Sequence, residues 1–293
     1  MKVAQFSTGN VTQLMYANKP LLNFANTPGD VERLVGMIEF IKKDWKGDRP
    51  PRVGTLAYEA STSRQGEDPR LFKIARENGV EFLPFDYFPF TATDFSTELR
   101  RIYEVKKADY LWLRGGAGQV GAIMKDVARL GLKDKMKYIA CYFGYSEATP
   151  IIAGKEAVEG MYLEANFDIA WGAGAGAEKP GVKFSKMLFD KNKRKVPATS
   201  FVMYISGTHL SMIAHEATKR ALEKVGLAKL TGQDIADAVW TLNNFDTRGI
   251  TRPTTMQPGN ISLVRHGILY RIDKEGVPRP MGDWFDIPHI LGR

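Results

Sequence analysis

The sequence predicts an α/β protein with largely parallel, doubly wound sheets. Three observations carry that prediction: short apolar runs alternate with stretches of helical period, Gly, Asp or Thr punctuates their ends, and 293 residues suffice for about two compact units. Strands are expected at Val3 to Phe6, Arg52 to Ala57, Glu81 to Phe85, Tyr110 to Leu113, Tyr138 to Phe143 and Gly160 to Glu164. Between the first two, Asp30 is placed to cap a helix. On it Val31, Leu34, Val35, Ile38 and Ile41 form one apolar face, opposite Glu32, Arg33, Lys42 and Lys43.

A second helix is expected from Asp68 to Asn78, with Leu71, Phe72 and Ala75 inward and Gly79 as its stop. A third opens at Asp94 and buries Phe95, Leu99, Ile102 and Tyr103; a fourth runs from Gln119 to Leu130 and stops at Gly131. These are βαβ units, whose right-handed crossovers put helices on both sheet faces and ligand sites at the carboxyl ends of strands. Past Asp168 the pattern changes. Residues 171–177 (WGAGAGA) form a flexible loop with no Gly-Lys-Ser/Thr after it, so no phosphate-binding loop is expected there. Helices follow at Thr208 to Val225 and Gly232 to Leu242, the latter with Thr231 as N-cap and Asp234 three residues on. The tail from Ile261 to Ile272 alternates like strands, with His266-Gly267 as a turn, and reads as an antiparallel appendage.

Composition narrows the function classes. Apolar and charged residues stand at 44% and 25%, those of an ordinary globular protein, which sets aside disordered and fibrous classes. The net charge of +8 favours anionic partners. The basic run Lys191, Lys193, Arg194, Lys195 lacks an aromatic platform and reads as a solvated helix end, so no nucleic-acid partner is expected. Cys141 is the only cysteine, which excludes an intramolecular disulfide and a cysteine-based zinc site; its neighbours read as a buried strand where a thiol is inert packing. No apolar run approaches the length of a membrane span, and the first residues lack the apolar core of a signal peptide. The chain as it stands is expected to stay where it is made.

Chemical motifs are few. Gly116-Ala117-Gly118-Gln119-Val120-Gly121 matches G-x-G-x-x-G after a strand and at a helix start, but the next strand ends Cys141-Tyr142-Phe143-Gly144 without the carboxylate that a dinucleotide ribose requires. The expectation is a tight turn lining a cleft, its free N–H groups open to a polar ligand; an NAD-dependent oxidoreductase is the alternative. His215-Glu216-Ala217-Thr218-Lys219 places Lys where a second zinc ligand would stand, and His209, His215, His266 and His289 are scattered, so no metal or other cofactor is expected. No G-x-S-x-G elbow is present, and no catalytic residue is assigned. Aromatic residues follow the strands, and Tyr142 and Phe143 are placed to wall a small-molecule pocket.

In their order, Arg52-Val53-Gly54-Thr55-Leu56, Thr93-Asp94-Phe95-Ser96-Thr97-Glu98-Leu99, Lys107-Ala108-Asp109-Tyr110, Ala128-Arg129-Leu130-Gly131-Leu132, Ala157-Val158-Glu159-Gly160-Met161 and Leu242-Asn243-Asn244-Phe245-Asp246-Thr247-Arg248-Gly249 resemble one family. It is the type I periplasmic solute-binding proteins of the leucine/isoleucine/valine-binding kind, and the likeness spans nearly the whole chain. The resemblance implies two doubly wound lobes joined by three crossing segments, with a ligand closed between them. Residues 1–25 and 198–293 are assigned to the first lobe and 26–197 to the second. It further implies a receptor of an ABC importer, non-enzymatic, periplasmic, with permease and ATPase subunits as partners and the membrane reached only through them. A cytoplasmic ligand sensor of the same fold is a second alternative.

Ser7 and Thr8 look like the first-lobe loop that receives a ligand carboxylate, with Thr62, Gly116, Ala117 and Gln119 as polar contacts and Tyr204 near the return crossing. The family's first three βα units, about 90 residues at ~30 per unit, are not matched. An incomplete first lobe is therefore expected, either from an N-terminally shortened product or with a partner supplying the gap. Where amino-acid binders of the family place an aromatic residue, this chain has Ser61-Thr62-Ser63; where they place an acidic one, it has Tyr142-Phe143, with Glu147 nearby. A buried ammonium without a counter-charge is costly, so an aromatic or aliphatic carboxylate is the expected ligand.

Overall fold

A computed structural model describes residues 3–7, 16, 20–169, 178–192 and 201–290. Thr8, the 171–177 loop and most of the 191–195 basic run lie outside them. The strands are β1 (Gln5–Ser7), β2 (Asn23–Ala25), β3 (Arg52–Tyr58), β4 (Glu81–Phe82), β5 (Asp86–Phe88), β6 (Tyr110–Arg114), β7 (Lys137–Cys141), β8 (Tyr162–Ala165), β9 (His266–Ile272), β10 (Pro278–Pro280) and β11 (Phe285–Asp286). The helices are α1 (Asp30–Gly36), α2 (Ile38–Asp44), α3 (Ser61–Arg64), α4 (Pro69–Glu77), α5 (Ser96–Arg100), α6 (Ala117–Arg129), α7 (Ala148–Ala153), α8 (Lys155–Val158), α9 (Pro180–Lys191), α10 (Phe201–Val225) and α11 (Gly232–Val239).

β3, β6, β7 and β8 pair in parallel at the centre of the large sheet, with β4 and β5 sharing the outer edge of β3. Both faces of this sheet are covered, so its strands alternate between two cores rather than between core and water. Leu111 and Leu113 of β6 pack with α5 and α6, while Tyr110 and Trp112 face α1, α2 and α4. Cys141 ends β7 in the second of these cores, fully buried, and burial pushes its thiol up to about 11. Native protein is therefore expected to resist thiol alkylation at pH 8 and to react once unfolded; modification at equal rates in both states would contradict this placement.

Local signals act where they were expected. Asp68 caps α4 by accepting from the Arg70 N–H, Thr231 and Asp234 form the capping box of α11, and Gly79 and Gly131 sit at φ of +75° and +66° just past their helices. Asp30 is a correction: Gly29 is the N-cap of α1, and the Asp30 carboxylate instead pairs with Arg33 and Arg114. The helix of residues 30–44 also breaks at Met37.

The first lobe is built on β1 and β2, paired in parallel, with residues 261–263 hydrogen-bonded along the other edge of β2. Phe24, Leu22 and Leu263 pack there against α10 and α11. The chain passes from β2 to the large-sheet body through residues 26–29 and again from residues 261–263 into β9. The tail, assigned with 198–293 to the first lobe, does not stay there. β9 pairs antiparallel with β8, and β10 and β11 pair with β9, so residues 266–286 extend the large sheet. The reason is the outer edge of β8, whose backbone groups are satisfied by this strand. His266-Gly267 accordingly opens a strand rather than making a turn. Among the described residues, no helix is long and apolar enough to cross a membrane.

Candidate functional site

The carboxyl ends of β3, β5, β6, β7 and β8 converge on one side of the large sheet, where Asp30, just after residues 26–29, meets Arg114 at the end of β6. Tyr58, the last residue of β3, lies 3.2 Å from the Thr62 hydroxyl and accepts from the Arg114 Nη1 at 3.2 Å. Arg114 ends β6, and its guanidinium carbon stands 4.5 Å from the Phe143 ring centre and 5.2 Å from that of Tyr58. Gly116 opens the turn into α6; its N–H donates to the Gln119 Oε1 at 3.0 Å, and the Gln119 amide donates to the Phe90 carbonyl. Phe90 is 72% exposed and meets Tyr58 edge to face. Thr62, Gly116, Ala117, Gln119 and Phe143 are each half-buried. The rim thus presents hydroxyls, turn amides and aromatic faces around one backing cation.

Beneath it lies a buried ionic cluster of two cations and two anions. Arg33 and Glu164, both without solvent exposure, form one pair, Asp30 and Arg114 another, and Arg33 reaches Asp30 at 3.3 Å. Burial opposes the charge on Arg33, but Glu164, by charge and hydrogen bond, and then Asp30 outweigh it and hold the guanidinium more firmly protonated. Arg114 is held charged in the same way by Asp30. The Asn166 amide donates to the second Glu164 oxygen at 3.0 Å, and the Arg33 guanidinium lies over the rings of Tyr142 and Trp112. Glu32, also buried, accepts from the Gly29 N–H, Arg265 Nη1 and the Ile290 N–H.

Two histidines lie among the crossing segments. His209 of α10 bonds the Asn26 side-chain oxygen through Nδ1, while Asn26 donates to the Ser206 carbonyl and hydroxyl. Its Nε2 faces the Thr251 hydroxyl at 3.4 Å. His266 accepts the Arg252 N–H on Nε2 at 3.1 Å and packs on Trp284. Burial, and then the neighbouring His266, pushes His209 down to about 3; burial, and then Arg252, opposed by Asp286, pushes His266 down to about 4.

The structure thus gathers Thr62, Gly116, Ala117, Gln119 and Phe143 on one rim. Ser7 stands at the end of β1, where its carbonyl accepts the Asn26 N–H at the first crossing. Tyr142 is 3% exposed, set between Arg33, Phe143 and Phe167, and burial pushes its hydroxyl up to about 12, so it belongs to the floor rather than to an open wall. Tyr204 is elsewhere: its ring packs on Phe189 of α9, and it lines a separate cavity of about 830 Å³. Sequence reasoning passed over Phe90 and Arg114, counted Tyr58 only among the aromatics at strands, and put Arg33 on the polar face of its helix. The available signal was Arg114 itself, a charge closing the run Tyr110-Leu111-Trp112-Leu113. The Gly116 turn does not resemble an open dinucleotide site, because the Gln119 side chain occupies its first N–H, while Gly121 serves packing: a Cβ there would come within 2.9 Å of Ile152. Among the described residues, no group of three or more His, Cys, Asp or Glu is arranged for a metal ion.

Comparison with known proteins bears on the fold. A family profile described as periplasmic binding protein matches residues 21–277. Among solved structures, a branched-chain amino acid ABC transporter protein from Thermus thermophilus with bound valine is 20% identical, with a TM-score of 0.80, covering 97% of this chain and 72% of that one. A solute-binding protein from Rhodopseudomonas palustris HaA2 in complex with p-hydroxybenzoic acid is 16% identical (TM-score 0.76; 98% and 73% covered). A fatty acid ABC transporter substrate-binding protein from Thermomonospora curvata is also 16% identical (TM-score 0.74; 99% and 72% covered). No curated protein matches. At these identities the likenesses establish the fold.

Proposed function

The chain belongs to the periplasmic binding protein family, and from that premise we propose that it is the solute-binding receptor of an ABC importer, holding a small aromatic or aliphatic carboxylate between its lobes. Binding is non-covalent, and permease and ATPase subunits perform the transport. The observation that carries the ligand class is the state of the acidic groups near the rim. Asp30 and Glu164 are already matched by Arg114 and Arg33, Glu59 pairs with Arg64, and Asp168 pairs with Lys179 and accepts from Tyr270. Glu147 is pushed toward its neutral form by burial, against a bond from its own N–H. Beside Glu147, whose charge burial disfavours, an α-ammonium would find the acidic groups of the rim already matched, and its lost hydration would be poorly repaid. A ring carrying a carboxylate suits the site: Phe143 and Tyr58 offer faces, and the Thr62 hydroxyl and the turn amides after Gly116 offer donors. The relatives bound to p-hydroxybenzoate and 3,4-dihydroxybenzoate support the same reading.

Thermal-shift and calorimetric titration of the full chain with 4-hydroxybenzoate, benzoate, valine and leucine tests this. The hydroxybenzoate is expected to raise Tm, and Phe143→Ala to weaken its binding by up to about tenfold through loss of the ring contact. Tight binding of valine or leucine, with no response to the benzoates, would overturn the ligand class.

A further inference from the structure

We propose that the cavity between α9 and α10 is a second small-molecule site, separate from the rim around Thr62 and Phe143, and that it takes an amphipathic carboxylate with an unbranched apolar chain. The two faces of α10 carry the separation. Leu210, Ile213, Ala217 and Ala221 bury in the first-lobe core, and Ser206 and His209 bond Asn26 at the first crossing. Tyr204, Thr208, Ser211 and His215 follow one another at i, i+4, i+7 and i+11 on the opposite face and line the cavity. Its volume of about 830 Å³ falls within the range of small-molecule sites.

The lining defines the ligand. Phe184 and Leu188 of α9, Met212 of α10 and Phe245 supply an apolar wall. Arg248 supplies a cation with no acidic partner among the described residues; its guanidinium rests 5.1 Å from the Phe184 ring centre. The two acidic groups in the lining are otherwise engaged, Glu216 with Arg220 at 2.8 Å and Asp246 with the Gly249 N–H at 3.0 Å. The hydroxyls of Thr208 and Ser211 donate to carbonyls of their own helix. The arrangement is built rather than incidental. Arg248 is held at a φ of +59°, its carbonyl accepts the Gly181 N–H at 2.8 Å, and a Cβ at Gly181 would come within 2.6 Å of the Thr247 carbonyl. One uncompensated guanidinium at the end of an apolar wall selects a single anionic head with an apolar chain behind it.

The probe is n-decanoate, titrated calorimetrically into the full chain with and without saturating 4-hydroxybenzoate. Decanoate is expected to bind regardless of the benzoate. Met212→Trp, which fills the cavity, and Arg248→Asn, which removes the cation while tolerating the left-handed backbone, are each expected to weaken it at least about tenfold and to leave the benzoate unaffected. Ser211→Leu fills the same wall from a neighbouring position should Met212→Trp fail to fold. No decanoate binding, binding unchanged in both kinds of variant, or binding displaced by 4-hydroxybenzoate and lost in Phe143→Ala would each overturn the second site. Loss of benzoate binding alone would instead bear on the rim and leave this inference standing.

Discussion

Replacing Glu164 by Leu is expected to cost about 3–5 kcal/mol of folding stability, read as a fall in the urea midpoint. The four buried charges are matched, and this substitution leaves Arg33 to share Asp30 with Arg114 in a region closed to water. Arg33→Met alone is expected to be comparably damaging, because it strands Glu164. The double variant Arg33→Met with Glu164→Leu is expected to recover most of the loss: the Asp30–Arg114 pair remains, and two apolar side chains replace a pair whose desolvation was costly. The double mutant also deprives the Asn166 amide of one of its two acceptors, the His266 carbonyl remaining, a smaller effect of about 1 kcal/mol. Singles as stable as the parent, or a double that sums the two losses, would show that Arg33 and Glu164 do not depend on one another.

Lowering the pH from about 6.5 to 5 is expected to remove about 2 kcal/mol for each of His209 and His266. Both are held neutral in the folded protein, at about 3 and about 4, whereas the unfolded chain protonates them near the ordinary histidine value of 6.5. Between these limits the unfolded state binds more protons. The stability is therefore complete above pH 6.5 and falls as pH drops toward the folded values, by up to about 1.4 kcal/mol per pH unit per group. Geometry states the same conflict: a proton on the His266 Nε2 would face the Arg252 N–H that it now accepts. Urea midpoints measured at pH 7, 6 and 5 check this above the range where most carboxylates titrate. His266→Gln is expected to flatten the profile by about half, and a flat profile in the parent protein would refute the assignment.

The fold was legible where its causes are local. Runs such as Tyr110 to Leu113 declare a strand covered on both faces, and Gly79, Gly131 and the Thr231–Asp234 box mark helix ends through contacts a few residues apart. Long-range causes were not legible. His266-Gly267 looks like a turn until the edge of β8 claims it, and α10 begins at Phe201, seven residues before the expected Thr208, because apolar residues on two faces blur its period. The rim was partly readable, since loops after parallel strands must meet at one end of a sheet. Its backing charges were not: Arg33 and Glu164 lie 131 positions apart, and each alone reads as a solvated side chain. Tyr204 was misplaced for the same reason. Which face of α10 looks toward the crossings depends on Asn26, 180 residues from its partner Ser206.

The opening turn of α1 has a mechanical corollary. Three residues of that turn, Asp30, Glu32 and Arg33, anchor β6 through Arg114, the segment before β9 through Arg265 and the end of β8 through Glu164. Their footings on the large sheet are thereby tied to one helical turn, so that β6, the end of β8 and residue 265 are held to a common block.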